Sequence, residues 1–184
     1  MVIRVSLFTI KMRWISVVLI SMAYCMNMYI VPHSHCDTGW LESFEAYYLS
    51  HVKFIITNVM NIMKEDPSYK FVWAETSFLR RWMRDQTDQD KQRMRELIKS
   101  GRIEIVGGGF SQNDEALSDI EAVIRNLETG HAYLKEEFDI NSVKVAWQID
   151  PFGHSAITPS IFSKFGYEYM VGSRIDINLK VKCI

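Results

Sequence analysis

The sequence predicts an α/β fold built on a parallel sheet or barrel. Two observations carry this. Short runs rich in β-branched and aromatic residues alternate with longer runs of helical periodicity, about five times along the chain. Polar, metal-capable side chains also gather where several of the strands end, which is where folds of this class place their chemistry. No internal repeat and no low-complexity linker interrupts the alternation.

Met28 to Pro32 reads as a short buried strand, followed by the polar cluster His33 to Thr38. From Leu41 to Met63 apolar residues recur at helical spacing (Phe44, Tyr47, Tyr48, Val52, Ile55, Val59, Met63), and Pro67 punctuates the end. Lys70 to Ala74 is a strand, and Ser77 to Arg84 is helical. Thr87 or Asp88 caps the next helix, which runs to Lys99 and stops at Gly101. Arg102 to Val106 is a strand that runs into Gly107, Gly108 and Gly109. Ser111 with Asp114 resembles a capping box, opening a helix that carries Leu117, Ile120, Val123, Ile124, Leu127 and Leu134. Val143 to Ile149 is a strand, and Asp150 to Ser155 a polar turn. A helix near Ser160 to Phe165 then leads through Gly166 to the strand Tyr167 to Val171.

The 184 residues suit one domain or part of a larger one, and 48% hydrophobic with 23% charged residues excludes collagen, coiled coil and bulk disorder. The formal charge of −1 gives no basic excess, so nucleic acid is not an expected partner. Cys25, Cys36 and Cys183 form neither a disulfide framework nor a CxxC pair. Lys11 and Arg13 precede an apolar run from Trp14 to Met26, shorter than the roughly 20 residues of a membrane span. Positive flank, apolar stretch and small residues fit a signal peptide cut after Ala23; a buried strand or helix is the alternative. Residues 1–25 are therefore set apart as a signal peptide or apolar leader, and 26–184 as the folded part. This leader points to the secretory pathway, lysosomal or secreted.

The strand ends supply the candidate chemistry. The first gives His33, Ser34, His35, Cys36, Asp37, Thr38, Gly39 and Trp40. Another gives Asn113, Asp114 and Glu115 after its glycines, and the next Asp150, Pro151, Phe152, Gly153 and His154. In extended chain, residues two apart point the same way, so His35 and Asp37 can reach one ion while Cys36 faces away. His33 shares their parity but lies about 7 Å further back, toward the interior. Such nitrogen and oxygen donors suit Zn2+. Asp150 ends an apolar strand, where a carboxylate is either a helix cap or a site residue, and glycosidases use carboxylate nucleophiles. Asp114 and Glu115 suit a helix N-terminus better than the chemistry.

The stretches His33–Trp40 and Trp147–Ser155 closely resemble the signatures of glycoside hydrolase family 38, the class II α-mannosidases. Phe71-Val72-Trp73-Ala74-Glu75 and Gly107-Gly108 with Asn113-Asp114-Glu115-Ala116 match the same family in the same order. Gly172-Ser173-Arg174-Ile175-Asp176 leans toward its lysosomal and secreted branch. The resemblance runs from about Tyr29 to Lys180 and implies the N-terminal part of a catalytic α/β barrel, a partial barrel truncated at its C-terminal side. It implies a zinc ion (Zn2+) held by His35, Asp37 and Asp150, with Asp150 also the nucleophile that forms a covalent mannosyl-enzyme. It places Trp40 and Phe152 in the sugar subsite and Arg174 near the nucleophile, keeping Asp150 ionised. Core packing is the alternative for the two aromatics, and a surface arginine for Arg174. His154 is a candidate to orient Asp150 from behind, or else makes a structural hydrogen bond. The substrate implied is a terminal α-linked mannoside of an oligosaccharide.

The chain departs from the family in three places. The family's second zinc-ligating histidine and its acid/base aspartate have no counterpart before Ile184. Val181 to Ile184 leave the pattern, as a truncated gene model would. Phe110-Ser111-Gln112 stands where the family usually has Trp-Val-Met, a change expected to alter a subsite or local packing without touching the ligands. The expected function is thus a zinc-dependent retaining α-mannosidase, represented by a part inactive alone. The other readings are a non-catalytic remnant with residual zinc or sugar binding, and a polysaccharide deacetylase-like hydrolase, against which the ordered motifs argue.

Overall fold

The computed structural model describes residues 5–6, 25–26 and 29–178. The predicted leader and its cut after Ala23 lie outside them, apart from a two-residue antiparallel ladder of β1 (Val5–Ser6) with β2 (Cys25–Met26). Among the described residues no helix is long and apolar enough to cross a membrane.

The parallel core is short-stranded. β3 (Phe71–Trp73) pairs in parallel with β4 (Ile103–Ile105), and β5 (Val145–Gln148) with β6 (Tyr169–Gly172). Among the described residues, one backbone hydrogen bond, from Gly107 N–H to Val145 O at 2.8 Å, joins the two pairs. The strand expected over Met28 to Pro32 is reduced to one parallel bridge, His33 to Val72, with Val72 N–H donating to Pro32 O at 3.0 Å. Pro32 has no N–H to give, so a longer ladder is denied one rung. The linked pieces follow chain order, each crossover made by helices.

The first crossover is one helical rod in three parts: α1 (Phe44–Tyr47), a π-helical turn Tyr48–Val52 and α2 (Lys53–Glu65). Ser43 caps it by accepting from Ala46 N–H at 3.3 Å. The π turn adds a residue to the repeat. The buried stripe downstream is Ile56, Met60 and Met63, with Ile55 and Val59 only at its flank. α3 (Thr76–Asp85) follows β3 directly. α4 (Asp88–Lys99) begins at Thr87, which accepts from Asp90 N–H at 3.2 Å, and the chain leaves it through Gly101 at φ +69°.

One predicted helix start is corrected. α5 (Ile120–Phe138) is capped by Asp119, which accepts from Ala122 N–H at 2.8 Å, not by Ser111 with Asp114. Ser111 N–H is taken by Asn126 Oδ1 at 2.8 Å, while Asp114 Oδ1 closes a local turn on Ala116 N–H at 3.1 Å. Leu117 therefore sits in a loop, 89% exposed. α6 (Thr158–Lys164), with Pro159 in its first turn, precedes β6.

The sheet has two unlike faces. Trp73, Ile103 and Ile105 pack with Tyr48, Phe78, Trp82 and other helix residues, and Ala146 packs with Val123, Leu127, Ile161 and Phe162. On the opposite face Ala74, Val106 and Trp147 cluster with Val72, Val145, Ile149 and Val171, all from strands and strand ends.

Candidate active site and metal centre

The site is assembled from loops that leave the strands at one end of the sheet. The helix start after β3 is tied to the loop after β4. Thr76 N–H and Oγ1 both donate to Gly109 O, at 3.2 and 2.9 Å, and Ser77 N–H donates to Phe110 O at 3.0 Å. These carbonyls satisfy orphan donors of α3 that no side chain caps. The same ties bring Glu75 and Gln112 together behind the first strand end.

His35, Asp37 and Asp150 converge there, each offering one donor atom within 4.8 Å of the others. His35 Nε2 lies 3.1 Å from Asp37 Oδ1 and 3.6 Å from Asp150 Oδ2. The parity argument holds: His35 and Asp37 share a side, while Cys36 points into the core, 8% exposed. Burial, reinforced by the Glu75 carboxylate, pushes the Cys36 thiol up to about 12, so it is no competing ligand at neutral pH. His33 does not enter the cluster; it stands exposed at the sheet edge with its ring edge-on to Trp147, 5.4 Å between centroids.

Asp150 caps no helix, because α6 begins eight residues later at Thr158. Its Oδ1 accepts from Arg174 Nη2 at 2.7 Å, across the end of β6, so its two oxygens face different partners. Of the two readings of His154, the contacts favour a structural hydrogen bond: its ring lies 3.0 Å from Glu115 Oε1 and 3.2 Å from the Arg174 carbonyl, and not against Asp150.

Glu115 is the supporting residue that sequence reasoning missed. It was assigned to a helix N-terminus, yet α5 begins five residues later. Its carboxylate is buried and accepts from Ser155 N–H at 2.9 Å and Gln148 Nε2 at 3.1 Å, clamping the loop that carries Asp150. Burial works to raise its pKa; the bonds from Thr158, His154, Ser155 and Gln148 outweigh it and hold the carboxyl below the usual range. Glu75, fully buried behind His35, is raised, because burial outweighs the donors from Gln112 and Cys36.

The departure at Phe110-Ser111-Gln112 does touch a candidate ligand, against expectation. Gln112 Nε2 lies 3.0 Å from His35 Nδ1 and 2.6 Å from Glu75 Oε1. Trp40 and Phe152 are 74% and 67% exposed, which removes core packing as their role and leaves two apolar faces open to solvent.

The donors fit a metal ion. An ion with bonds of about 2.0–2.1 Å holds neighbouring tetrahedral ligand atoms about 3.3 Å apart. The two His35 separations bracket that value. One imidazole and two carboxylates suit a divalent ion such as zinc.

The comparisons agree in direction. Alpha-mannosidase C of Dictyostelium discoideum is 43% identical over 155 residues, 84% of this chain and 14% of that protein. Lysosomal alpha-mannosidase of Mus musculus is 33% identical over 165 residues, 85% of this chain and 16% of that protein. The chain thus spans about one-seventh of the curated relatives it matches. An alpha-mannosidase structure from Enterococcus faecalis V583 superposes with a TM-score of 0.67 at 22% identity, covering 77% of this chain and 16% of that one, a likeness of fold. The family model described as "Glycosyl hydrolases family 38 N-terminal domain" matches residues 25–183, and this chain belongs to that family.

Proposed function

We propose that the chain carries the metal-binding and nucleophile side of a zinc-dependent, retaining α-mannosidase acting on terminal α-mannosides of oligosaccharides. One observation carries the reading: His35 and Asp37 from one strand end meet Asp150 from another, while Arg174 holds the far oxygen of Asp150. The parallel strands follow in chain order with helix residues on one face and strand residues alone on the other. That arrangement favours a partial β/α barrel over a sheet covered on both sides.

In this mechanism His35, Asp37 and Asp150 hold the ion. Bound zinc supplies Lewis acidity and a template for the sugar. Arg174 fixes the Asp150 carboxylate through Oδ1, leaving Oδ2 to face the cluster. That carboxylate attacks the anomeric carbon as the glycosidic bond breaks, giving a covalent glycosyl-enzyme. Trp40 and Phe152 offer their exposed faces to the sugar ring. Retention needs a second carboxyl about 5–5.5 Å from the nucleophile to protonate the leaving oxygen. Asp37 is committed to the ion, and Glu115 is engaged by Ser155, Gln148 and His154. The 184 residues alone are therefore expected to bind zinc without turning over substrate. The secretory pathway, lysosomal or secreted, is the proposed location, in keeping with the mouse relative's name.

Two measurements test this. The purified chain should bind zinc, and Asp37→Ala should reduce the bound metal; unchanged zinc content in that variant removes Asp37 from the ligand set. The wild-type chain should release no aryl alcohol from an aryl α-mannoside, and clear turnover would show that the chain holds its own acid/base.

A further inference from the structure

A second cavity lies on the helical side of the molecule, between α3, α4 and α5. Its volume is about 780 Å3, the size of a small-molecule site, and none of His35, Asp37, Asp150 or Arg174 lines it. Arg80, Arg81 and Arg84 turn one face of α3 toward it, being one turn apart or adjacent on that face. Lys91 and Arg95 come from α4, also one turn apart. The carboxylates of the lining are Glu136 and Glu137 of α5.

Ion pairing decides which of these charges remain available. Arg81 is held by Glu45, at 3.0 Å from Nε and 2.6 Å from Nη2, and by Asp85. Arg95 is held by Glu137. Lys91 reaches Asp88 at 3.7 Å, and the Asp88 side chain stands in solvent, so that pair is weak. Arg80 lies 5.9 Å over the Tyr133 ring, and neither Arg80 nor Arg84 has an ion-pair partner among the described residues. Glu45 and Asp85 are near enough to feel the charge of Arg84, but both are committed to Arg81. Arg80, Arg84 and Lys91 are therefore left facing Glu136. Two arginines one turn apart repel each other and weaken their helix, a cost that an anion in the cavity would offset.

We propose that this cavity binds a phosphate ester of sugar-phosphate size, its phosphate taken by Arg80, Arg84 and Lys91 and its uncharged body by the apolar lining. Guanidinium forks match phosphate oxygens, and a lysine adds a point charge to the same group. The cavity is much larger than a phosphate ion, and Phe44, Met83 and Phe110 line part of the remainder, which suits an ester better than the bare ion. The site stands apart from the metal centre and does not depend on the metal reading.

Calorimetric titration of the full chain at low salt, with glucose 6-phosphate as the probe, tests this. The ester should bind, glucose should not, and inorganic phosphate should bind more weakly than the ester. Added salt should weaken the ester. Replacing both arginines, Arg80→Gln with Arg84→Gln, should weaken it about tenfold, the scale of lost charge-assisted hydrogen bonds. Glu136→Gln removes the opposing carboxylate and should tighten binding about threefold, a gain that misfolding cannot produce. No binding of the ester by the wild type overturns the proposal. Unchanged affinity in the double arginine variant, or no gain in Glu136→Gln, overturns it as well, because the ester then sits elsewhere. Inorganic phosphate binding as tightly as the ester overturns the choice of an ester and leaves an adventitious ion only.

Discussion

Glu75 and Glu115 are buried carboxylates on either side of the candidate site, and their surroundings push them in opposite directions. Glu75 is raised by burial; its favourable contribution to folding is present below the ordinary carboxylate value and is lost as pH rises through its folded value. Glu115 is lowered, because four hydrogen bonds outweigh its burial. Its contribution is present above the ordinary value and is lost as pH falls through the folded one. Glu115→Gln should therefore destabilise the chain at pH 7 by about 1–3 kcal/mol, the range for leaving buried donors without their acceptor. The deficit should shrink as the pH is lowered past the wild-type carboxyl's titration. Urea midpoints at pH 7 and pH 4 check this, and an equal deficit at both would mean that the charge of Glu115 is irrelevant. His35, Asp37 and Asp150 were legible from motif and parity, because two-residue alternation in extended chain needs only local geometry. Glu115, His154 and Gln112 were not. Their partners stand 20 to 77 residues away, where no local spacing points.

At the scale of elements, the glycine turn after β4 and the middle of α5 are built to touch. A Cβ on Gly130 would meet Gly108 O at 2.0 Å and Gly109 C at 2.6 Å. Gly108 itself stands at φ +70°, where a Cβ would meet Val143 and the His131 ring. This approach seats the loop carrying Gln112 beneath α5, with Phe110 N–H donating to Asn126 O at 3.0 Å. Gly130→Ala should cost about 3 kcal/mol or more, since the obstacle is backbone and cannot swing aside. Gly153→Ala, which meets nothing within 4 Å, should stay within about 0.5 kcal/mol. Denaturant melts of the two variants separate a packing constraint from a general intolerance of Gly→Ala. The caps show what sequence can and cannot read. Thr87 was legible because its acceptor serves its own helix, while Ser111 matched a capping box yet had its N–H taken by Asn126 across a turn. A template match names a possible bond, and competition with a distant acceptor decides whether it forms.

At the scale of the molecule, the described residues leave apolar surface beside open strand edges. Tyr169 on β6 is 66% exposed and Met170 44%, while Tyr29, Ile30 and Val31 before the His33 bridge are 62%, 81% and 49% exposed. Unpaired edges flanked by such side chains favour association. The 184-residue chain should thus self-associate at micromolar concentration, and light scattering that reports a monomer with a cooperative melt would count against this. The sequence by itself determined the alternation of strand and helix, the residues able to bind an ion and the family, because periodicity and short motifs are written in neighbouring positions. Only the tertiary structure decided that Asp150 faces His35 rather than a helix end, that Glu115 clamps the Asp150 loop, and that Gln112 sits on Nδ1 of His35. Those outcomes depend on which loops the packed helices bring together, and a side chain's proton or partner is set by that meeting.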